Sequence, residues 1–216
     1  MIIIANKRRK RVNLLKAYPG AIIADVTSKA EDDSVRFSPF FPHRDIPIPF
    51  SSSSTAASVE GIWQGLKVFE SSGIDRSVML NETMRGIKRS VRRFGKPLGH
   101  QKGLDSDELL DYKRARNEIY LPTYRWMLEH KMMGAIERLR KASNEGKTII
   151  LLDYNTSEDV DDLRKPLSHA YLIKAYAEGL YPYEDAKGLD QQQRTESGSN
   201  NKTWKQPSLF QEVEKE

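Results

Sequence analysis

The chain has 216 residues, 38% of them hydrophobic and 30% charged, with a net charge of +5. That is enough for one sizeable domain with its own core, in the range of an ordinary water-exposed protein. It contains no cysteine, which excludes disulfides, thiolate nucleophiles and cysteine-ligated zinc and suits a reducing, cytoplasmic setting; no apolar run approaches membrane-spanning length, so no membrane partner is expected.

The first residues, Met1 to Asn6, return to polarity too early for a secretory signal, and the basic run Lys7-Arg8-Arg9-Lys10-Arg11 follows them rather than preceding them. After the turn at Pro19-Gly20, Ile22 to Val26 reads as a first strand. An aromatic-proline turn, Phe37-Ser38-Pro39-Phe40-Phe41-Pro42, and a polar loop at residues 51–55 come next. Residues 58–69 read as a helix: Val59, Ile62, Trp63 and Leu66 recur at helical spacing, Ser58 is placed to cap it, and Gly61 and Gly65 leave room for close packing.

Residues 76–94 give a second helical stretch, with Met84, Ile87, Val91 and Phe94 as its apolar stripe and Arg85, Lys88, Arg89, Arg92 and Arg93 off it. Gly95 to His100 then reads as loop. Helix resumes over residues 107–121, Pro122 kinks or ends it, and residues 123–141 form another helix before the stop at Asn144-Glu145-Gly146. Thr148 to Leu152 is a buried strand by composition, and residues 166–177 read as a last helix. The pattern is α/β or α+β: one helix-rich domain with a small sheet over residues 1–183. Residues 184–216, with seven acids, five bases and few apolar side chains, read as a disordered tail.

Charge is uneven. The tail carries −2, which leaves +7 on the domain. Much of that excess comes from the Lys7–Arg11 run and from the segment between Arg85 and Lys102, which holds no acid. Phosphate-bearing partners, DNA among them, are one reading; a solvated basic face is the other.

Two constellations carry chemistry. Glu60, Gln64 and Lys67, at i, i+4 and i+7, share one side of a helix beside Trp63. They make either a surface Glu–Lys staple or the wall of a pocket closed by the aromatic loop. Asp153 follows the buried strand, where open α/β folds place ligands, and leads a run of acids that also reads as a solvated loop. His43, His100 and His169 lie in or near loops and are available for proton transfer or for fixing loops. There is no Walker A, GxGxxG, HExxH or EF-hand spacing, so neither a metal nor a cofactor is expected.

These pieces, in order from about residue 35 to 173, resemble the NADAR/YbiA-like superfamily. Phe37 to Pro42 is similar to its FSNFYP-like turn, Val59-Glu60-Gly61-Ile62-Trp63-Gln64-Gly65-Leu66-Lys67 to its VEHYYQAQK-like helix, Gly95-Lys96 to its Gly-Arg loop, and Leu151-Leu152-Asp153 to its strand end. Pro166-Leu167-Ser168-His169 stands where that family ends in D..WG. The resemblance implies an N-glycosidase fold and hydrolysis of an N-glycosidic bond in a nucleotide, ADP-ribosyl adduct or modified base, free or on DNA; the alternative is a nucleotide- or DNA-binding module without turnover, tethered to a sliding clamp. It implies Glu60 and Asp153 as electrostatic and acid/base residues. Gln64, Lys67, Lys96, His100 and His169 would hold substrate, Phe40, Phe41 and Trp63 would stack on a flat base, and Arg85, Lys88, Arg89, Arg92 and Arg93 would meet phosphates or nucleic acid. Finally, Gln206-Pro207-Ser208-Leu209-Phe210 resembles the bacterial and phage sliding-clamp-binding peptide, in which Leu209 and Phe210 would enter an apolar pocket and Gln206 would hydrogen-bond.

Overall fold

The computed structural model describes residues 1–183; the clamp-like peptide at Gln206, Leu209 and Phe210 and the whole 184–216 tail lie outside the described residues. The strand expected at Ile22 is there, β2 (Ile22–Asp25), but it is not the first. Ile2–Asn6 forms β1, and Arg11–Ala17 forms a helix, α1. Sequence reading passed over both because five β-branched and small residues before a basic run carry little periodicity.

The buried strand is β8 (Ile149–Asp153), and it lies between the other two in a parallel sheet of order β1-β8-β2. All five of its residues are buried. Ile150 and Leu152 face one cluster with Ala5, Leu14 and Ala21, while Ile149 and Leu151 face the main core. Both faces are therefore covered, which is why the strand reads as a continuous apolar run rather than an alternation. Asn6, Asp25 and Asp153 end the three strands at one edge.

The helix starting at Ser58 exists but is short. In α2 (Val59–Gly65) the Ser58 hydroxyl accepts from the Gly61 amide at 3.0 Å. The chain then turns into β5 (Lys67–Phe69), which pairs with β6 (Pro97–Gln101), and β6 pairs in turn with β7 (Leu109–Leu110). The predicted Gly95–His100 loop is thus mostly strand. Gly65 is explained by α3 (Arg76–Met79): a Cβ there would sit 2.4 Å from Met79 Cγ and 2.9 Å from the Asp75 carbonyl oxygen. The helix expected over residues 76–94 reduces to α3 and α4 (Val91–Phe94). Between them, Asn81 Oδ1 accepts from the Thr83 amide and hydroxyl, both at 2.8 Å, and offers the backbone a turn in place of a helix. Ile87 is buried, but Val91 of the expected stripe is exposed. A small two-stranded pair, β3 (Ile46–Pro47) with β4 (Thr55–Ala56), completes the sheets.

Pro122 neither ends nor breaks its helix. Residues 112–131 run continuously as α5 (Tyr112–Ala115), a π-helical turn (Arg116–Tyr120) and α6 (Leu121–Lys131). Proline has no amide proton to donate to the preceding turn. The chain widens just before it, and Leu121 donates its amide to the Arg116 carbonyl, five residues back. The helix expected over 123–141 is two, α6 and α7 (Met133–Asn144), broken at Met132. The last helix, α8 (His169–Ala177), starts later than expected because Ser168 caps it. Tyr124 of α6 is completely buried and ties the core to the aromatic loop through its hydroxyl, 2.7 Å from the Phe37 carbonyl oxygen. The result is one domain of mixed helices and small sheets.

Candidate active site

A cavity of about 900 Å³ opens where the strand ends, α2 and the π turn meet. Its walls include Glu60, Trp63, Gln64 and Lys67 from α2 and β5, Phe40 from the aromatic loop, and Asp153 and His169 from the ends of β8 and α8. Lys88 lines it too, with its ammonium 5.4 Å from the centre of the Phe40 ring.

The i, i+4, i+7 spacing becomes a hydrogen-bonded chain. Gln64 Nε2 donates to Glu60 Oε1 at 2.8 Å, and Gln64 Oε1 accepts from Lys67 Nζ at 3.2 Å and from the Arg89 amide at 3.1 Å. The two donors on Oε1 fix the amide's orientation, so Glu60 must be the acceptor of the remaining bond. Burial pushes the Glu60 carboxyl above its ordinary range, against the pull of the Gln64 hydrogen bond and the Lys88, Lys67 and His169 charges. Burial also lowers the Lys67 ammonium, against the opposing pull of Glu60. A carboxyl raised and an ammonium lowered, joined through one amide, form an acid–base pair whose affinities for a proton have been drawn together.

Asp153 is different. Its Oδ1 accepts from the Tyr154 amide at 2.7 Å; its Oδ2 accepts from the Ser168 hydroxyl at 2.7 Å, the His169 ring at 3.0 Å and the Ala170 amide at 3.4 Å. Burial works against its charge, but these donors and the His169 charge outweigh it and hold the carboxyl below its usual range. With both oxygens occupied, Asp153 is a fixed anion rather than a proton carrier. His169 places its other ring nitrogen, Nε2, 2.7 Å from the Val26 carbonyl oxygen. Both ring nitrogens face acceptors, so the imidazolium satisfies both at once. Burial lowers its proton affinity, yet the bond to Asp153 and its charge raise it further.

Trp63 is held from several sides. The His100 ring lies 3.9 Å away, and Tyr112 and Tyr120 meet it edge-on at 5.7 and 5.5 Å. His100 therefore backs the wall and does not line the cavity. Burial drops its pKa to about 3, so it stays neutral at physiological pH and carries no substrate proton. Phe41 likewise is not part of the wall; it packs against His43, whose ring centre is 4.8 Å away. Lys96 sits exposed at the start of β6, away from the lining.

Of the basic residues assigned to phosphates, Lys88 reaches the cavity and Arg85, Arg92 and Arg93 are exposed outside it. Arg89 turns inward. Its guanidinium donates to the carbonyls of Gln64, Lys67 and Gly73 and to the Ser72 hydroxyl, and lies 5.0 and 4.9 Å from the rings of Phe69 and Phe94. It is a brace for the end of α2 and leaves no face for a phosphate.

Sequence reading missed Arg116 and Tyr120. Both line the cavity from the π turn, and Arg116 also donates to the carbonyls of Val160 (2.7 Å), Asp162 (3.2 Å) and Lys165 (3.0 Å), fastening the acidic loop to the helix. The signal was present as Tyr112, Arg116 and Tyr120 at intervals of four, which puts them on one face of a helix.

Among the described residues no helix is long and apolar enough to cross a membrane, and no group of three or more His, Cys, Asp or Glu side chains stands close enough to hold a metal. Comparison with curated proteins found no match, and comparison with solved structures found none. Residues 6–173, most of the chain, match the pattern of DUF6939, a family of unknown function, and the chain belongs to that family.

Proposed function

We propose that the cavity hydrolyses an N-glycosidic bond in a nucleotide-like substrate, as the resemblance to the NADAR/YbiA-like superfamily implies. The observation that carries this reading is the meeting of Glu60, Gln64, Lys67, Trp63, Phe40 and Asp153 around one cavity from three separate segments. Its volume falls within the range of small-ligand sites. The flat base stacks on Trp63, whose far side is backed by His100. The C–N bond breaks with its electron pair going to the base, and positive charge develops on the sugar. Water adds to the anomeric carbon and gives a proton to Glu60, a stronger base than an ordinary glutamate. Lys67, a stronger acid than an ordinary lysine, protonates the leaving base; the proton on Glu60 then returns to Lys67 through solvent. Asp153 and His169, a matched ion pair, hold the strand end and the first turn of α8 in place without exchanging protons.

The test is release of free base from a pyrimidine riboside phosphate and from an ADP-ribosylated guanine nucleoside. Wild-type protein releases base from one of them, and Glu60→Gln, which keeps the bond from Gln64, loses a factor of about 10² to 10⁴ in kcat with an unchanged melting temperature. Equal rates in the two proteins would overturn the assignment of Glu60. Saturable binding of both compounds with no released base moves the cavity to recognition without turnover.

A further inference from the structure

Two basic clusters that are distant in sequence each adjoin a segment that lines the cavity. β1 ends beside β8 with Asn6 in register with Asp153; the Lys7 amide donates to the Asp153 carbonyl at 2.8 Å, and Asn6 Nδ2 donates to the Tyr154 carbonyl at 2.9 Å. Arg8, Arg9, Lys10 and Arg11 follow at once, all exposed, at the edge where Asp153, Tyr154 and Asn155 line the cavity. A second segment reaches the rim through Met84, Gly86, Ile87 and Lys88. It carries Arg85, Lys88, Arg92, Arg93 and Lys96, again all exposed.

Among the described residues none of these nine side chains has a carboxylate at ion-pair distance, although cations elsewhere on the surface do: Arg44 with Glu82, Lys102 and Arg114 with Glu108, Lys113 with Asp161. Unpaired like charges repel, and two such groups beside one opening make a field that a chain of negative charges relieves. A single small anion meets two or three cations; nine on two segments fit a repeating anion. The cavity has room and aromatic walls for one base, and a base reaches a recessed site only when it is out of the stack.

We propose that these clusters bind the phosphodiester backbone of a single strand of nucleic acid as it passes the cavity mouth, with one base turned inward. The backbone contact goes beyond hydrolysis and stands without it; only the fate of the inserted base rests on the hydrolytic reading.

The experiment is fluorescence anisotropy of labelled 12-nucleotide strands of mixed sequence, as DNA, as RNA and as DNA duplex, with the full-length protein between 50 and 200 mM salt. Two triple variants are compared with wild type, Arg8→Gln/Arg9→Gln/Lys10→Gln and Arg85→Gln/Arg92→Gln/Arg93→Gln. All six side chains are exposed and, among the described residues, none has a carboxylate at ion-pair distance; circular dichroism verifies folding. Wild type binds the single strands with log Kd linear in log salt. Each triple variant lowers that slope by about 2 and weakens binding roughly tenfold or more. Anisotropy reads binding without turnover, so a failed hydrolysis assay leaves this result standing. Equal affinity for DNA and RNA supports recognition through the backbone, and a preference between them identifies the strand. The proposal is overturned if either triple variant binds like wild type, if the duplex binds as tightly as the single strand, or if phosphatidylserine vesicles bind where the strands do not.

Discussion

At the scale of single residues, the two carboxylates of the cavity have opposite fates because their donors differ. Glu60 accepts from one neutral amide inside a buried wall, and its proton affinity rises; Asp153 accepts from four donors, one of them cationic, and its proton affinity falls. A consequence follows for the pH dependence of turnover. The ionised form of Glu60 and the charged form of Lys67 are the working states. Activity is therefore lost as pH falls through a Glu60 value above 4.5 and as pH rises through a Lys67 value below 10.5. The kcat/KM profile is a bell narrower than free glutamate and lysine would give, and Glu60→Gln removes its acid limb. His169 yields a second expectation. Nitrogen NMR should find protons on both ring nitrogens at a pH above 6.5, and Asp153→Asn should lower the pH at which the ring becomes neutral. The sign of the stability effect is fixed. The His169 contribution is complete below its unfolded value of 6.5 and is lost as pH rises through the higher folded value; the Asp153 contribution is complete above 3.8 and is lost as pH falls through its lower folded value.

At the scale of elements, periodicity revealed α2 and the helical run through residue 131, since each buries a face wide enough to leave a repeat, while composition alone revealed β8, which is buried on both faces. It did not reveal where α2 stops, because Lys67 to Phe69 continue the helical spacing while their backbone pairs with β6. The carbonyls at that end are taken by groups from far along the sequence, those of Gln64 and Lys67 by the Arg89 side chain and those of Gly65 and Leu66 by the amides of Asp75 and Gln101. Nothing near residue 65 announces them. Arg89→Ala would leave buried carbonyls without donors and cost about 2–4 kcal/mol in chemical denaturation. Because the Arg89 amide also orients Gln64, the substitution should raise KM and lower kcat together if it disturbs the backbone. A change in stability alone would confine Arg89 to bracing.

At the scale of the whole molecule, the legible half of the site was the half written on one helix turn: Glu60, Gln64, Lys67 and Trp63 are near in sequence and near in space. The other half is assembled by topology. Tyr120 and Arg116 arrive from a π turn caused by Pro122, and the Arg8–Arg11 run arrives because β1 lies beside β8. No local pattern encodes that adjacency. The same topology brings two runs that separately read as solvated surface next to segments that line one cavity.

The sheet is also built out of chain order: β8 separates β1 from β2, so the two strands made first do not pair with each other. A nascent chain emerging from the ribosome must hold both as unpaired edges until more than a hundred further residues have been synthesised. The sheet closes only when the central strand slots between them and places Asp153 beside His169. Such long-range closure is slow and leaves the early strands exposed to wrong partners in the interval. The strand-end wall of the cavity therefore waits on the last strand, while the wall carried by α2 and the π turn does not.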